Sequence, residues 1–412
     1  MEVRRRRVLV LVYFFPPLGG AGVQRTLKFV RYLEPLGWDA TVVTTRSRLY
    51  RARDDSLLND VPADTRIIRT RALPIARWVG MAFYRLRMRR LYTWVTWPDG
   101  GFGWAPFAIL AGLRAARRER PDVLYSSSPP QAGHLAAHVI RRLTGIPWVA
   151  DFRDEWASDV YRADQPRTLS RLAARAERTF TSTASRVVVA AGYFRLAGMP
   201  QDDARRIEIV NGADEADFPA SPAGPPPDRF VLAHVGTVYG IRDPSPVLQA
   251  LERLVSRGEL DGNRIEVRLV GSLWLDAFSP PRSIRVESTG YIEHARAVAE
   301  MCAATALLLY IPSSSQAPSG KLFEYLASGR PVLCVASAEN LASQLVHELD
   351  AGVVADPDDE ASIEQAILTL WRRWEENGLP IRTDVRRRAL ERYSRQAGAA
   401  QLAQVFDEVL RR

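Results

Sequence analysis

RVLVLVYFFPPLGGAGVQRTLKFVRYLEPLGWDATVVTT, from Arg7 to Thr45, holds a complete strand–helix–strand unit. Val8 to Phe15 is an unbroken, β-rich apolar run of strand length. The turn PPLGGAG follows, and beyond it Val23, Leu27, Val30 and Leu33 recur at helical spacing. DATVVTT then supplies a second strand. Two strands joined through a helix run parallel, because the chain must cross back before it can start again in the same direction. The glycine-rich turn therefore lies at the C-terminal end of the first strand, where ligands of such sheets bind.

The alternation continues. PDVLYSSS, PWVADFRD and RVVVAA read as strands, separated by helical stretches such as APFAILAGLRAARRER and RTLSRLAARAERTF. FPASPAGPPPDR, Phe218 to Arg229, is dense in proline and glycine and marks a linker. A second series follows it: FVLAHVG, the helix PSPVLQALERLVSRG, RIEVRLVG, ALLLYIP, PVLCVA and AGVVAD. The fold class expected is α/β, two doubly wound Rossmann-like domains facing a cleft. Their expected limits are 1–218 for the N-terminal domain, 219–230 for the linker and 231–390 for the C-terminal domain. A C-terminal helix over 391–412 has the N-terminal domain as one place to pack.

The chain has 412 residues and a net charge of +9, from 56 basic and 47 acidic residues, which favours anionic partners. Almost all of the positive charge is arginine, a bias of genomic composition; the two lysines are Lys28 and Lys321. Cys302 and Cys334 stand in apolar segments without metal-ligand or disulfide spacing, and read as reduced thiols of a cytoplasmic protein. MEVRRRRVLVLVYFF imitates a signal peptide, but its apolar run is short and ends in PPLGG, so it reads as a buried first strand. No run is long enough to span a bilayer. A cytoplasmic location, or a peripheral one at the inner face of the membrane, is expected.

Several stretches carry chemistry, each with a plainer reading beside it. Gly19, Gly20, Ala21 and Gly22 let the backbone approach a phosphate or an acceptor and aim helix N–H groups at an anion, or simply make a tight turn. The spacing is neither a dinucleotide fingerprint nor a P-loop. In HVGTVYGIRDPSP, Gly236 and Thr237 close a strand and Arg242 follows, either as a guanidinium fork for a diphosphate or as a surface arginine. In SSSQAPSGKLFEYLASGRPVL, Ser319 and Gly320 precede a helix starting near Lys321, with Glu324 on the same face. That places backbone donors, an ammonium and a carboxylate able to hold ribose hydroxyls together, unless the two charges form a solvated surface pair. DFRDEW, Asp151 to Trp156, groups carboxylates and arginine at a strand end, as a reacting centre or a structural ion network. His134 and His138 share a helix face but lack a third ligand, so no metal site is expected.

Residues 76–104 interleave arginines with tryptophan, tyrosine and phenylalanine. Such a segment suits an anionic membrane surface, single-stranded nucleic acid, or a basic surface helix packed by its apolar side.

Taken together the chain resembles a family-4 type glycosyltransferase with the GT-B fold, and the resemblance to its polysaccharide-biosynthesis members runs through nearly its whole length. The Tyr13–Thr44 stretch resembles the family's first strand–helix–strand unit, and PWVADFRDEW its DFRDPW variant. IEIVNGADEADF is similar to the lead-in to the second domain. VGTVYGIRDPSPVLQAL matches the glycine pattern that precedes a phosphate-binding lysine, with Arg242 in its place, and KLFEYLASGRPVL resembles the end of the E-x7-E donor motif. Two positions depart: Gln316 stands where the first glutamate is expected, and Thr237 where the family has arginine.

The resemblance implies transfer of a sugar from a nucleotide-sugar, UDP-linked, to an acceptor hydroxyl with retention of configuration, in glycan or polysaccharide biosynthesis. The acceptor would be a sugar, a lipid-linked glycan or a small molecule. It implies a donor site of Gly236, Thr237, Arg242, Gln316, Ser319, Gly320, Lys321, Leu322 and Glu324. Asp151, Arg153, Arg242 and Lys321 would serve the reacting centre, and neither a metal nor another cofactor is implied. The alternatives are a nucleotide-sugar epimerase of the same fold and a non-catalytic transferase-like subunit. A nucleic-acid-binding protein is disfavoured.

Overall fold

The computed structural model describes residues 4–46, 52–73, 75–97, 99–157, 165–219, 223–239, 243–274, 278–315 and 320–411. The chain forms two compact units, Met1–Asn211 with Arg395–Arg412, and Gly212–Ser394.

The first unit runs β1 (Arg6–Leu11), α1 (Ala21–Leu33), β2 (Trp38–Thr45), β3 (Arg66–Thr70), α2 (Ile75–Arg85), α3 (Arg89–Thr96), α4 (Ala105–Glu119), β4 (Val123–Ser128), α5 (Ala132–Thr144), β5 (Trp148–Phe152), α6 (Arg167–Thr183), β6 (Arg186–Val189) and β7 (Arg206–Glu208). These strands form one parallel sheet in the order β3-β2-β1-β4-β5-β6-β7. β4, β5 and β6 are buried along their whole length because helices cover both faces. Val23, Leu27, Val30 and Leu33 of α1 are all buried against the sheet, and each such side chain contributes roughly 1.5–3 kcal/mol. β1 ends at Leu11, the Val12 N–H still donates to the Val43 carbonyl at 3.1 Å, and the apolar run then closes at Pro16 and Pro17, which cannot extend a ladder.

The second unit runs β8 (Phe230–Val235), β9 (Val238–Tyr239), α7 (Ser245–Ser256), β10 (Ile265–Val270), β11 (Leu273–Trp274), β12 (Arg285–Gly290), α8 (His294–Cys302), β13 (Ala306–Tyr310), α9 (Lys321–Ser328), β14 (Val332–Val335), α10 (Leu341–Glu348), β15 (Gly352–Ala355), α11 (Glu360–Asn377) and α12 (Thr383–Tyr393). Its parallel sheet has the order β12-β10-β8-β13-β14-β15, and β9 pairs with β11 as a short parallel ribbon. α11 shows how the helices are bounded. The Asp359 carboxylate accepts the Ala361 N–H at its start, and Gly378 takes φ 69° at its end.

The last helix, α13 (Arg395–Leu410), belongs to the first unit. Its Leu402 and Phe406 are fully buried, with the Phe406 ring 5.0 Å from that of Trp38. Arg6 pairs with Asp407 and Arg186 with Glu408 beside this contact.

Candidate functional site

Strand order reverses in the second unit between β8 and β13, and that is where a doubly wound sheet opens a crevice at its carboxyl edge. The loop after β8 carries Gly236 and Thr237, and the loop after β13 leads to Gly320 and α9. The Gly236 N–H donates to the Val270 carbonyl at 2.8 Å. Gly271, at the end of the neighbouring β10, has φ 134°, and a methyl there would lie 2.2 Å from the Gly236 carbonyl oxygen. Gly271 thus lets the two adjacent strand ends touch backbone to backbone, which a side chain at that position would not allow.

α9 is fixed against this edge by Tyr325. Its hydroxyl accepts the Val235 N–H at 2.7 Å, and burial pushes the phenol pKa up. Lys321 opens the helix, and its Nζ lies 2.5 Å from Glu324 Oε2. Glu324 is 8 % exposed, so the pair is no solvated surface pair. The Lys321 Cγ would lie 3.8 Å from a methyl on Gly236, which puts the lysine stem against the loop after β8. Leu322 is fully buried, and its side chain anchors α9 in the core. Arg242, Gln316 and Ser319 lie outside the described residues. The structure therefore gathers Gly236, Gly320, Lys321 and Glu324 at one sheet edge, with Thr237 next in the chain. Helix N–H groups, an ammonium and a largely buried carboxylate there suit a ligand that carries both an anion and hydroxyls.

In the first unit the order reverses between β1 and β4. The loop after β1 holds Gly19, whose N–H donates to Ala52 at 2.8 Å, and Gly20, with φ 93° at the residue before α1. Ala21 and Gly22 form the first turn of that helix. Arg153 packs on Gly22 and donates to the Gly22 and Pro129 carbonyls, and to Ser128 O at 3.0 Å. Its guanidinium thereby ties the glycine loop to the loop after β4.

Asp151, two residues earlier, was expected near the reacting centre and is instead fully buried. Its oxygens accept from Arg25 at 2.9 and 3.0 Å, from Tyr125 at 2.7 Å and from Ser127 at 2.7 Å. Burial pushes this carboxyl up, but the Arg25 charge and these hydrogen bonds together hold it below the usual carboxylate range. Arg25 also donates to the Ile209 and Val210 carbonyls. The charges of DFRDEW thus enter a structural ion network through Asp151, and a loop clasp through Arg153.

Arg25, Tyr125, Tyr325 and Gly271 escaped the sequence reading. Arg25 and Asp151 are 126 residues apart, and nothing local announces their meeting. Gly271 had a signal, since it directly follows β10 as Gly236 follows β8. His134 is buried, with Nδ1 2.8 Å from Ser126 Oγ, and His138 bonds Thr183 at 3.0 Å. Among the described residues no group of three or more His, Cys, Asp or Glu is placed to hold a metal ion.

Comparison with known proteins bears on both units. A glycosyl transferase 4-like domain matches residues 19–197, and a glycosyl transferases group 1 domain matches residues 229–373. A glycosyltransferase from Rickettsia africae superposes over 99 % of this chain and 99 % of its own, with a TM-score of 0.66 at 11 % identity. Anabaena HepE, solved in complex with UDP, gives 0.61 at 14 % identity over 98 % and 100 %. WaaG, a glycosyltransferase involved in lipopolysaccharide biosynthesis, gives 0.59 at 13 % identity over 97 % and 99 %. At these identities the structures show a shared fold, that of the GT-B glycosyltransferases. No curated protein matches the chain in sequence.

Proposed function

From the premise that this chain is a family-4-like glycosyltransferase, we propose that it moves a sugar from a UDP-sugar to an acceptor hydroxyl with retention of configuration. The second unit holds the donor and the first the acceptor, a hydroxyl of a growing glycan or polysaccharide. One observation carries the donor assignment: Lys321 and Glu324 meet at the start of α9 beside Gly236, at the carboxyl edge where strand order reverses.

In the reaction the bond from the anomeric carbon to the diphosphate breaks and a bond to the acceptor oxygen forms. The acceptor proton leaves with the diphosphate. The difficult part is the charge that builds on the leaving oxygens, and cations with fixed N–H groups lower that barrier. Lys321, the N–H groups that open α9 and the Arg242 guanidinium are suited to this. The Lys321–Glu324 pair is the resting arrangement. An arriving diphosphate draws the ammonium towards itself and turns the Glu324 carboxylate to the ribose hydroxyls. A compact ammonium on a flexible stem can make that exchange, which accounts for a lysine in an arginine-rich chain. Asp151 and Arg153 act from a distance, by holding the Gly19–Gly22 loop in shape.

The test is calorimetry and thermal shift with UDP, GDP, ADP and dTDP, with and without a divalent metal. UDP is expected to raise the melting temperature by several degrees in the wild type. Glu324→Ala is expected to lose that gain while melting normally without ligand. Stabilisation by none of the four nucleotides, or an undiminished gain in the variant, would overturn the donor site.

A further inference from the structure

Between β3 and α4 the first unit carries a helical hairpin, α2 and α3, which the transfer reaction does not use. Its stem is closed: Leu73 N–H donates to Gly103 O at 3.1 Å, and a methyl on Gly103 would lie 2.2 Å from the Leu73 carbonyl oxygen. Its two helices pack on each other. Gly80 of α2 abuts Thr96 and Tyr92 of α3, and the Tyr84 and Tyr92 rings stand 5.7 Å apart.

What the hairpin leaves outward is unusual. Ten of the eighteen large apolar side chains that stand exposed among the described residues lie between Leu73 and Phe102, so they form one concentration, not a scatter. Tyr84 is 66 % exposed and Leu86 67 %, with Met81, Met88, Leu91 and Trp94 close to half. The same stretch has five arginines against one acid. That acid, Asp99, is engaged by the N–H groups of Gly101 and Gln131 at the hairpin's base. Arg85 and Arg87 are exposed beside Tyr84 and Leu86 at the hairpin's tip.

We propose that this hairpin is a docking surface for an anionic lipid bilayer. Apolar and aromatic side chains belong at the level of the headgroups, where a ring can be half buried and half wet. Arginines among them lay their stems along the apolar layer and their guanidinium groups on lipid phosphates. At eleven residues α2 is about 16 Å long, far short of the ~30 Å hydrocarbon core, so the hairpin lies on the membrane and does not cross it. The Asp99 anchor to Gln131 places its base beside the loop after β4, at the carboxyl edge of the first sheet. The docking does not rest on the identity of the donor.

The full-length chain should be sedimented with vesicles of phosphatidylglycerol in phosphatidylcholine and with phosphatidylcholine alone. The wild type is expected to bind the anionic vesicles at least about tenfold more strongly, and less as salt rises. Tyr84→Ser with Leu86→Ser, and separately Arg85→Gln with Arg87→Gln, should each lower that binding by about fivefold or more. These positions are exposed, so unchanged circular-dichroism melting is expected of both variants. No preference for anionic vesicles, or vesicle binding by either variant equal to that of the wild type, would overturn the proposal. So would variants that lose single-stranded oligonucleotide binding but keep vesicle binding, because the surface would then belong to nucleic acid.

Discussion

His134 sits on α5 with its ring 4.4 Å from that of Phe152 and close to Trp148 and Phe180. Burial drives its pKa down to about 3, so it stays neutral in the folded chain. The unfolded chain takes up a proton near the ordinary value of about 6.5. As pH falls below that value the unfolded state gains a proton the folded state refuses, and stability is lost until about pH 3. Between pH 7 and pH 5 this one residue should cost about 2 kcal/mol. Thermal melts across that range should show the loss, and His134→Phe, which keeps a ring in place, should flatten the curve by that amount. A slope identical to the wild type would refute the assignment. The sequence showed a histidine pair on one helix face without a third ligand, and a structural role followed from that. It also singled out two lysines. Lys321 proved to share a helix turn with Glu324, while Lys28, left without a reading, is buried with its Nζ 2.7 Å from Asp60. The Arg25–Asp151 pair stayed invisible because its partners are distant in sequence and charge alone does not name a partner.

At the scale of elements, the strand ends in the second unit are the sensitive parts. Gly271→Ala puts a methyl against the Gly236 carbonyl oxygen and demands a left-handed backbone of alanine. It should destabilise the second unit by at least about 2 kcal/mol and weaken nucleotide binding together with stability. Denaturant titration and the UDP thermal shift read both, and a variant unaffected in each would show that the two loops can part freely. Central strands were legible because burial on both faces makes them continuous apolar runs, as in ALLLYIP and PVLCVA, which became β13 and β14. β3 (RIIRT), β7 (RIE) and β12 (RVESTG) were not recognised. They are three of the four outer strands of the two sheets, half exposed and rich in charge, so their apolar signal is diluted where the sheet meets water. The fourth, β15 (GVVA), carries no charge and was legible. α9 was legible from SGKLFEYL, while the Tyr325 hydroxyl that pins it to β8 depends on a strand ninety residues earlier.

For the whole molecule, the decisive fact is that the first unit is completed by α13. Truncation after Ser394 would uncover Trp38 and leave Arg6 and Arg186 without their acidic partners. The expected loss is at least about 5 kcal/mol, comparable with the full stability of many domains. Limited proteolysis of the truncated chain should digest the first unit and leave a resistant fragment covering the second. A truncated chain that resists digestion like the wild type would contradict this. The same discontinuity bears on how the protein is made. A ribosome delivers residues 1–211 first, but the helix that closes their core is complete only once residues 212–394 have been made and Leu410 is reached, 199 residues later. At ~5–20 residues per second the half-finished sheet waits roughly 10–40 s, while the unit encoded after it can already be complete. Chaperones that shield exposed apolar surface during synthesis should therefore engage the beginning of this chain for longest.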